Sequence, residues 1–468
     1  MNKTTFALFF GNRGFFPASL IADARVEMKN ELNELGHEVI MMDAEATRFG
    51  AVETPLEGEV YANFLRANHG RFGGVIVCLP NFGDETGAVA ALQDAGVPIW
   101  IQAYPDDYDR MGPALRRDSF CGKLSIMDVF RQYGVKYTAF KPHTVRPESE
   151  RFKANVDEFD RVCQVVNGVR GMVVGAIGAR TTPFKTVRID EVTLQKHAIT
   201  VETFDLSDIF HRMKAVRPKD EPYQVKAEML HNFSTWEQVP EKAFDQIVRL
   251  SVSLDQVIVE ARLDALAFRC WTEIQTQMGI SPCVTLGALN ELGLAAACEV
   301  DLGNAIVMKA FNLASYEPAG LLDWNNNYGE EDDKCILFHC GPLAASLMDG
   351  KGRVTDHAIL MNTVGEGKAF GCNVGRIKPM DFTFGSLMTD QGQIKVYLGE
   401  GRITHDPIPD NFFGVAGVAE IKKLQDVLIH IGANGHRHHV SITPGRHIQP
   451  LTEALGNYLN FEVALPQN

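Results

Sequence analysis

The chain has 468 residues, too many for one hydrophobic core, which predicts two or three domains. Hydrophobic residues make up 45% and charged residues 22%, the balance of an ordinary globular protein, and a net charge of −14 with no basic block argues against nucleic acid as a partner. Nine cysteines, an odd number without a CxxC pair, speak against a disulfide framework or a zinc ribbon and for a reducing, cytoplasmic setting.

No apolar run approaches the roughly 18 residues that span a bilayer. The run 6–10, followed at once by Gly11, Asn12 and Arg13, is too short for a signal-peptide core and reads as a first buried strand. Further strands are expected at 38–42, 74–79, 98–102 and 136–140, with helices at 19–35, 85–95 and 124–133 between them. That alternation predicts a parallel sheet covered by helices, with ligand loops at 11–16, 80–86 and 104–109. A charged helix at 148–166 leads into a second cycle: strands at 171–176, 200–203 and 264–269, and helices at 225–229 and 241–261. From about residue 316, turn residues become frequent and strands shorten (394–398, 402–404, 438–442). The expected fold class is α/β: two Rossmann-like parallel-sheet domains, 1–168 and 169–315, then a mainly β, barrel-like domain, 316–468.

Four places carry candidate chemistry. Glu299 ends the apolar run 294–298 and precedes a helix-like stretch, so it is either a helix-start residue or a buried, partnered carboxylate. Asp323 stands among turn-forming asparagines and is either a turn residue or a ligand. His436, His438 and His439 follow Gly432–Ala433–Asn434. If 438–442 is a strand, only one of His438 and His439 faces a cleft, and a solvated His cluster is the competing reading. His339 ends an apolar strand, as either a satisfied core histidine or a ligand. Together they offer carboxylates and imidazoles suited to Mn²⁺, Co²⁺ or Mg²⁺, with positions open for substrate oxygens.

The segment Cys298–Glu–Val–Asp–Leu–Gly–Asn–Ala–Ile–Val–Met308 resembles the stretch of L-fucose isomerases in which a glutamate after an apolar strand binds the metal. In that family a metal-binding aspartate follows 24 residues on, and Asp323 lies 24 residues past Glu299. The C-terminal histidine of the family has its match in His439, in a context that blends the fucose isomerase Gly–Ala–Asn with the His–His pair of L-arabinose isomerases. Arabinose isomerases also carry a metal-binding histidine at about the distance of His339 from Asp323, and fucose isomerases do not. Gly375–Arg–Ile–Lys–Pro379 and Gly399–Glu–Gly401 are similar to the C-terminal β-domain of these enzymes, while the N-terminal region is shorter than theirs.

The resemblance implies a metal-dependent aldose–ketose isomerase acting on a pentose or (deoxy)hexose through an enediol. One ion per site would be held by Glu299, Asp323, His439 and, less firmly, His339, with Glu299 and Asp323 moving the protons. Arg13, His438, Asn434, Trp324 and Trp271 are the implied sugar contacts. The resemblance also implies a homohexamer in which Phe72, Asn81, Phe82 and residues 116–121 approach a neighbour's site. Arg13, Arg116, Arg117, Lys123 and Lys185 would serve an anionic sugar or, as the reading put first, lie on a solvated surface. The rival readings are a metal-dependent sugar hydrolase or aldolase and a non-catalytic sugar-binding protein. Nucleotide binding is disfavoured, because Gly171–Gly178 lacks GxGxxG spacing.

Overall fold

The computed structural model describes residues 2–468, which form two compact units divided between Asn167 and Gly168. In the first, β1 (Phe6–Phe10), β2 (Val39–Met41), β3 (Gly74–Leu79) and β4 (Ile99–Ala103) make a parallel sheet in the order β2-β1-β3-β4. Every residue of β1, β3 and β4 is buried, because helices cover both faces, and this is why these strands read as unbroken apolar runs. The crossovers include a helix absent from the sequence reading, Pro55–Ala67. Its signals were a Thr54 cap accepting from the Glu57 amide and a proline in the first turn.

The strand expected at 136–140 is corrected to a single bridge between Trp100 and Thr138. Thr138 exchanges backbone hydrogen bonds with Ile99 and Ile101, and four residues later Pro142 has no N–H with which to extend the ladder.

Lys123 overturns its surface reading: it is buried, and its ammonium donates to the His143 carbonyl at 2.8 Å. Burial pushes it down from 10.5 to about 8. A base depressed in the fold binds fewer protons there than in the unfolded chain. The protein should therefore gain stability as pH rises from about 8 toward 10.5, by up to ~3 kcal/mol. Lys123→Met should flatten that rise in chemical denaturation followed across the same pH range.

The second unit holds a parallel sheet of β5 (Val173–Ile177), β6 (Thr200–Phe204), β8 (Ala265–Phe268) and β9 (Ala295–Cys298), ordered β6-β5-β8-β9. The remaining strands are β7 (Ser234–Thr235), β10 (Gly320–Asn327), β11 (Lys334–His339), β12 (Gly352–Thr355), β13 (Cys372–Arg376), β14 (Met380–Asp390), β15 (Gln393–Ile403), β16 (Val415–Glu420), β17 (His439–Pro444) and β18 (Glu462–Ala464). They form one mainly antiparallel sheet, β18-β15-β14-β17-β10-β11-β16-β13-β12-β7. A further pairing of Arg402 and Ile403 with Glu420 and Ala419 brings β15 against β16, so six of these strands run in a closed circuit of pairings. The boundary expected at residue 315 falls at the end of the helix Leu302–Ser315, inside this compact unit.

The short strands expected at 394–398 and 402–404 are one strand, β15. Gly399 and Gly401, in the gap between those two expected strands, are glycine because the Phe384 and Phe382 rings press on them: an added Cβ would lie 2.2 Å and 2.8 Å from those rings. No helix among the described residues is long and apolar enough to cross a membrane.

Candidate metal centre

Four chain segments of the second unit converge on a pocket of about 250 Å³ lined by Glu299, Asp323, His339, Trp271, Cys283 and His357 among others. Glu299 follows the last residue of β9, Asp323 lies within β10, His339 ends β11 and His439 opens β17. Asp323 and His439 are direct partners across the β10–β17 ladder, so their side chains share one face of the sheet.

Glu299 is not the cap of the following helix. Asp301 is, accepting from the Asn304 amide at 3.1 Å. Glu299 and Val300 instead adopt φ of 60° and 59°, the left-handed region that costs a non-glycine residue about 1–2 kcal/mol. Two such residues in succession turn the Glu299 carboxylate into the pocket, where the Trp271 indole N–H donates to Oε1 at 3.0 Å.

His439 Nε2 lies 2.7 Å from Glu299 Oε2 and 3.5 Å from Asp323 Oδ1. His439 Nδ1 lies 2.8 Å from Asp301 Oδ2, and Asp301 is fully buried. Arg437 pairs with the other oxygen of Asp301, and the Asn304 side-chain amide adds a donor at 2.7 Å. An ionised Asp301 only accepts, so it fixes a proton on His439 Nδ1 and leaves Nε2, which faces the carboxylates, as the nitrogen that can give up its proton and offer a lone pair.

Burial alone would raise Asp301, but Arg437 and His439 outweigh it and hold the carboxyl well below its ordinary value. Glu299 is likewise raised by burial and brought below its usual value by His439 and His339. Asp323 stays raised, because burial and the nearby Glu299 exceed the pull of the imidazoles. Asp323 Oδ1 is buried without a hydrogen-bond partner, and His439 Nε2 meets only the Glu299 carboxylate, 2.7 Å away. Converging carboxylate and imidazole donors with an oxygen left unpaired are what a divalent cation requires, so the donor set fits one. Two trios have donor atoms within 4.8 Å of one another: Glu299, His339 and His439, and Asp323, His438 and His439.

His438 is half exposed and approaches Asp323 to 3.7 Å. Because β17 begins only at His439, strand alternation does not force the two imidazoles apart, and both reach Asp323. Trp324 is on the opposite face of β10 from Asp323, donating to Tyr397 at 3.1 Å and packed edge-on against Phe384. Asn434 ends the helix Leu424–Ala433 and bonds back to His430. Neither Trp324 nor Asn434 lines the pocket. Arg13 belongs to the first unit, where it pairs with Glu85 and lies over Phe82. The sequence reading passed over Asp301 and Arg437, the supports of His439, and His357 on the pocket wall. Asp301 carried a signal in its capping position before Asn304.

Burial disfavours a charged ring at His439, but Asp301 and Glu299 overcome it and push the ring up to about 10. In the metal-free protein that pairing stabilises the fold fully below the ordinary 6.5 and is lost as pH rises through about 10. A cation must displace the Nε2 proton, so Mn²⁺ affinity should weaken by up to ~10-fold per pH unit as pH falls from 9 to 6. Calorimetric titrations in buffers of different ionisation enthalpy should show the proton released.

A buried carboxylate–imidazole cluster at the end of a parallel sheet, walled by a second sheet, defines an α/β protein with a candidate metal centre. Residues 7–170 match the sequence model of the fucose/sulfoquinovose isomerase N-terminal domain, and residues 337–465 that of the L-fucose isomerase C-terminal domain. The chain belongs to the L-fucose isomerase-like superfamily of sugar isomerases. It is similar to the sulfoquinovose isomerase of Alkalicoccus urumqiensis, with 26% identity over 57% of this chain and 59% of that protein. The sulfoquinovose isomerase of Priestia aryabhattai is 23% identical over 78% of this chain and 79% of its own length. That of Clostridium sp. (strain MSTE9) is 25% identical over 56% and 58%. The match thus spans less than two thirds of the first of these relatives.

Proposed function

We propose that this protein is a divalent-metal-dependent aldose–ketose isomerase. The observation that supports the reading is that Glu299 and Asp323 line one pocket and His439 Nε2 lies 2.7 Å and 3.5 Å from their carboxylates, with Asp323 Oδ1 buried and unpartnered. Those three residues would hold Mn²⁺, Co²⁺ or Mg²⁺. When bound, the cation supplies Lewis-acid polarisation of the sugar carbonyl.

The residues themselves divide the remaining work. Asp301 and Arg437 orient His439, and Trp271 anchors Glu299. Asp323, one oxygen of which has no partner, is the carboxylate free to take a proton from the carbon beside the carbonyl and return it to the neighbouring carbon, the enediol route. Glu299, held on both oxygens, is the fixed partner that relays the hydroxyl proton. The apolar wall of Phe338, Phe413, Ile359 and Leu360 limits water around the reacting carbons.

The substrate is a small aldose, either a neutral pentose or (deoxy)hexose or the sulfonated sugar named for the relatives. The test is chelation, reloading with each cation, and an aldose panel that includes sulfoquinovose, read by ketose formation. Ketose that appears equally without metal, or carbon–carbon cleavage in its place, would sink the reading. The reading includes a homo-oligomer, hexameric by the resemblance, which sedimentation of the purified chain reads directly.

A further inference from the structure

We infer that His339 faces the pocket as a hydrogen-bond donor to substrate through Nε2, and is not a ligand of the cation. This rests on the isomerase reading above and concerns which ring nitrogen carries the proton. The Cys340 backbone N–H donates to His339 Nδ1 at 2.9 Å, and the Cys340 sulfur lies 3.1 Å from the same nitrogen. A backbone N–H can only donate, so Nδ1 holds the lone pair and the proton of the neutral ring sits on Nε2. A doubly protonated ring also carries hydrogen on Nε2.

His439 has the reverse arrangement, with its Nδ1 proton given to Asp301 and its Nε2 facing Glu299 and Asp323. With a cation in place of the Nε2 proton, the two imidazoles, ring centres 5.9 Å apart, would present opposite groups, a lone pair from His439 and an N–H from His339. Rotating His339 to present Nδ1 to a cation would take the acceptor away from the Cys340 amide.

His339 is 3% exposed, lines the pocket, and its Nε2 has no hydrogen-bond partner. A buried N–H without an acceptor is destabilising. The acceptor that fits is an oxygen of the open-chain sugar, on which negative charge grows as the neighbouring carbon loses its proton. A donor already in place for that charge stabilises the transition state more than the ground state.

The test compares the native protein with His339→Leu and His339→Gln, the second keeping an N–H near the Nε2 position. The readouts are Mn²⁺ titration, the histidine-nitrogen modulation in the spin echo of bound Mn²⁺, and kcat against KM. In both variants the Mn²⁺ dissociation constant should stay within about fivefold of native, short of the ~10–100-fold that disturbing even a supporting partner of a ligand costs. The spin-echo modulation should be unchanged. Turnover should fall by ~10²–10³-fold in His339→Leu, with Gln restoring at least about a tenth of the native rate.

A larger loss of Mn²⁺ affinity, or weaker modulation, in either variant overturns the inference in favour of a ligand. Native kcat in His339→Leu overturns it in favour of a packing role. Should the Leu variant fail to fold, the Gln variant decides alone: retained affinity with substantial turnover supports the donor, and lost affinity refutes it. Native protein that binds no Mn²⁺ or forms no ketose defeats the isomerase reading itself, a result distinct from all of these.

Discussion

Glu299→Gln is expected to reduce turnover by ~10³-fold or more at saturating metal, while leaving folding stability within ~1 kcal/mol of native. Glutamine has nearly the size of glutamate, and its carbonyl oxygen still accepts from Trp271. What disappears is the negative charge 2.7 Å from His439 Nε2, the charge a cation shared by the two residues would face. Backbone strain at residues 299 and 300 is unchanged, because neither residue becomes glycine. That strain is itself informative: a left-handed Glu–Val pair is retained at a cost, and what it achieves is the direction of one carboxylate. Ketose formation, Mn²⁺ titration and chemical denaturation should be measured on the same preparation. Turnover within tenfold of native would remove Glu299 from the chemistry.

Asp301→Asn should have the largest effect on the fold itself, about 3–5 kcal/mol of lost stability, together with a ~10–100-fold loss of Mn²⁺ affinity. Asparagine is as good a helix cap as aspartate, so the bond to the Asn304 amide survives and the loss belongs to the other two partners. Arg437 is left as a buried cation with no counter-charge, and breaking a buried pair from one side is far costlier than replacing both partners. His439 loses the acceptor-only group that fixed its proton on Nδ1, so its Nε2 is no longer reserved for a ligand. Denaturation midpoints report the first effect and titration calorimetry the second. A fall in affinity without a fall in stability would mean that Arg437 finds another partner.

The sequence was most legible where a signal is local. Apolar runs such as Phe6–Phe10 and Gly74–Leu79 identify buried parallel strands, because residues covered on both faces must all be apolar. It was least legible where the cause lies elsewhere in the chain. Gly399 and Gly401 look like a break between two strands until the phenylalanine rings against them are known. Lys123 looks like surface until the helix that carries it is seen to bury it. The cysteines look scattered, yet Cys270, Cys283 and Cys340 line one pocket.

The candidate site divides in the same way. Glu299, Asp323 and His439 could be named through the resemblance to L-fucose isomerases, with its 24-residue spacing between the two carboxylates, whereas residue type alone left each of them a helix-start, turn or surface alternative. That they face one point, that Asp301 rather than Glu299 caps the helix, and that Trp324 turns away from Asp323 were decided by strand register and backbone torsion. The proton positions on His339 and His439 depend still more on tertiary structure. A ring nitrogen takes its role from whichever donor or acceptor meets the other nitrogen, and for His439 that partner is 138 residues away along the chain.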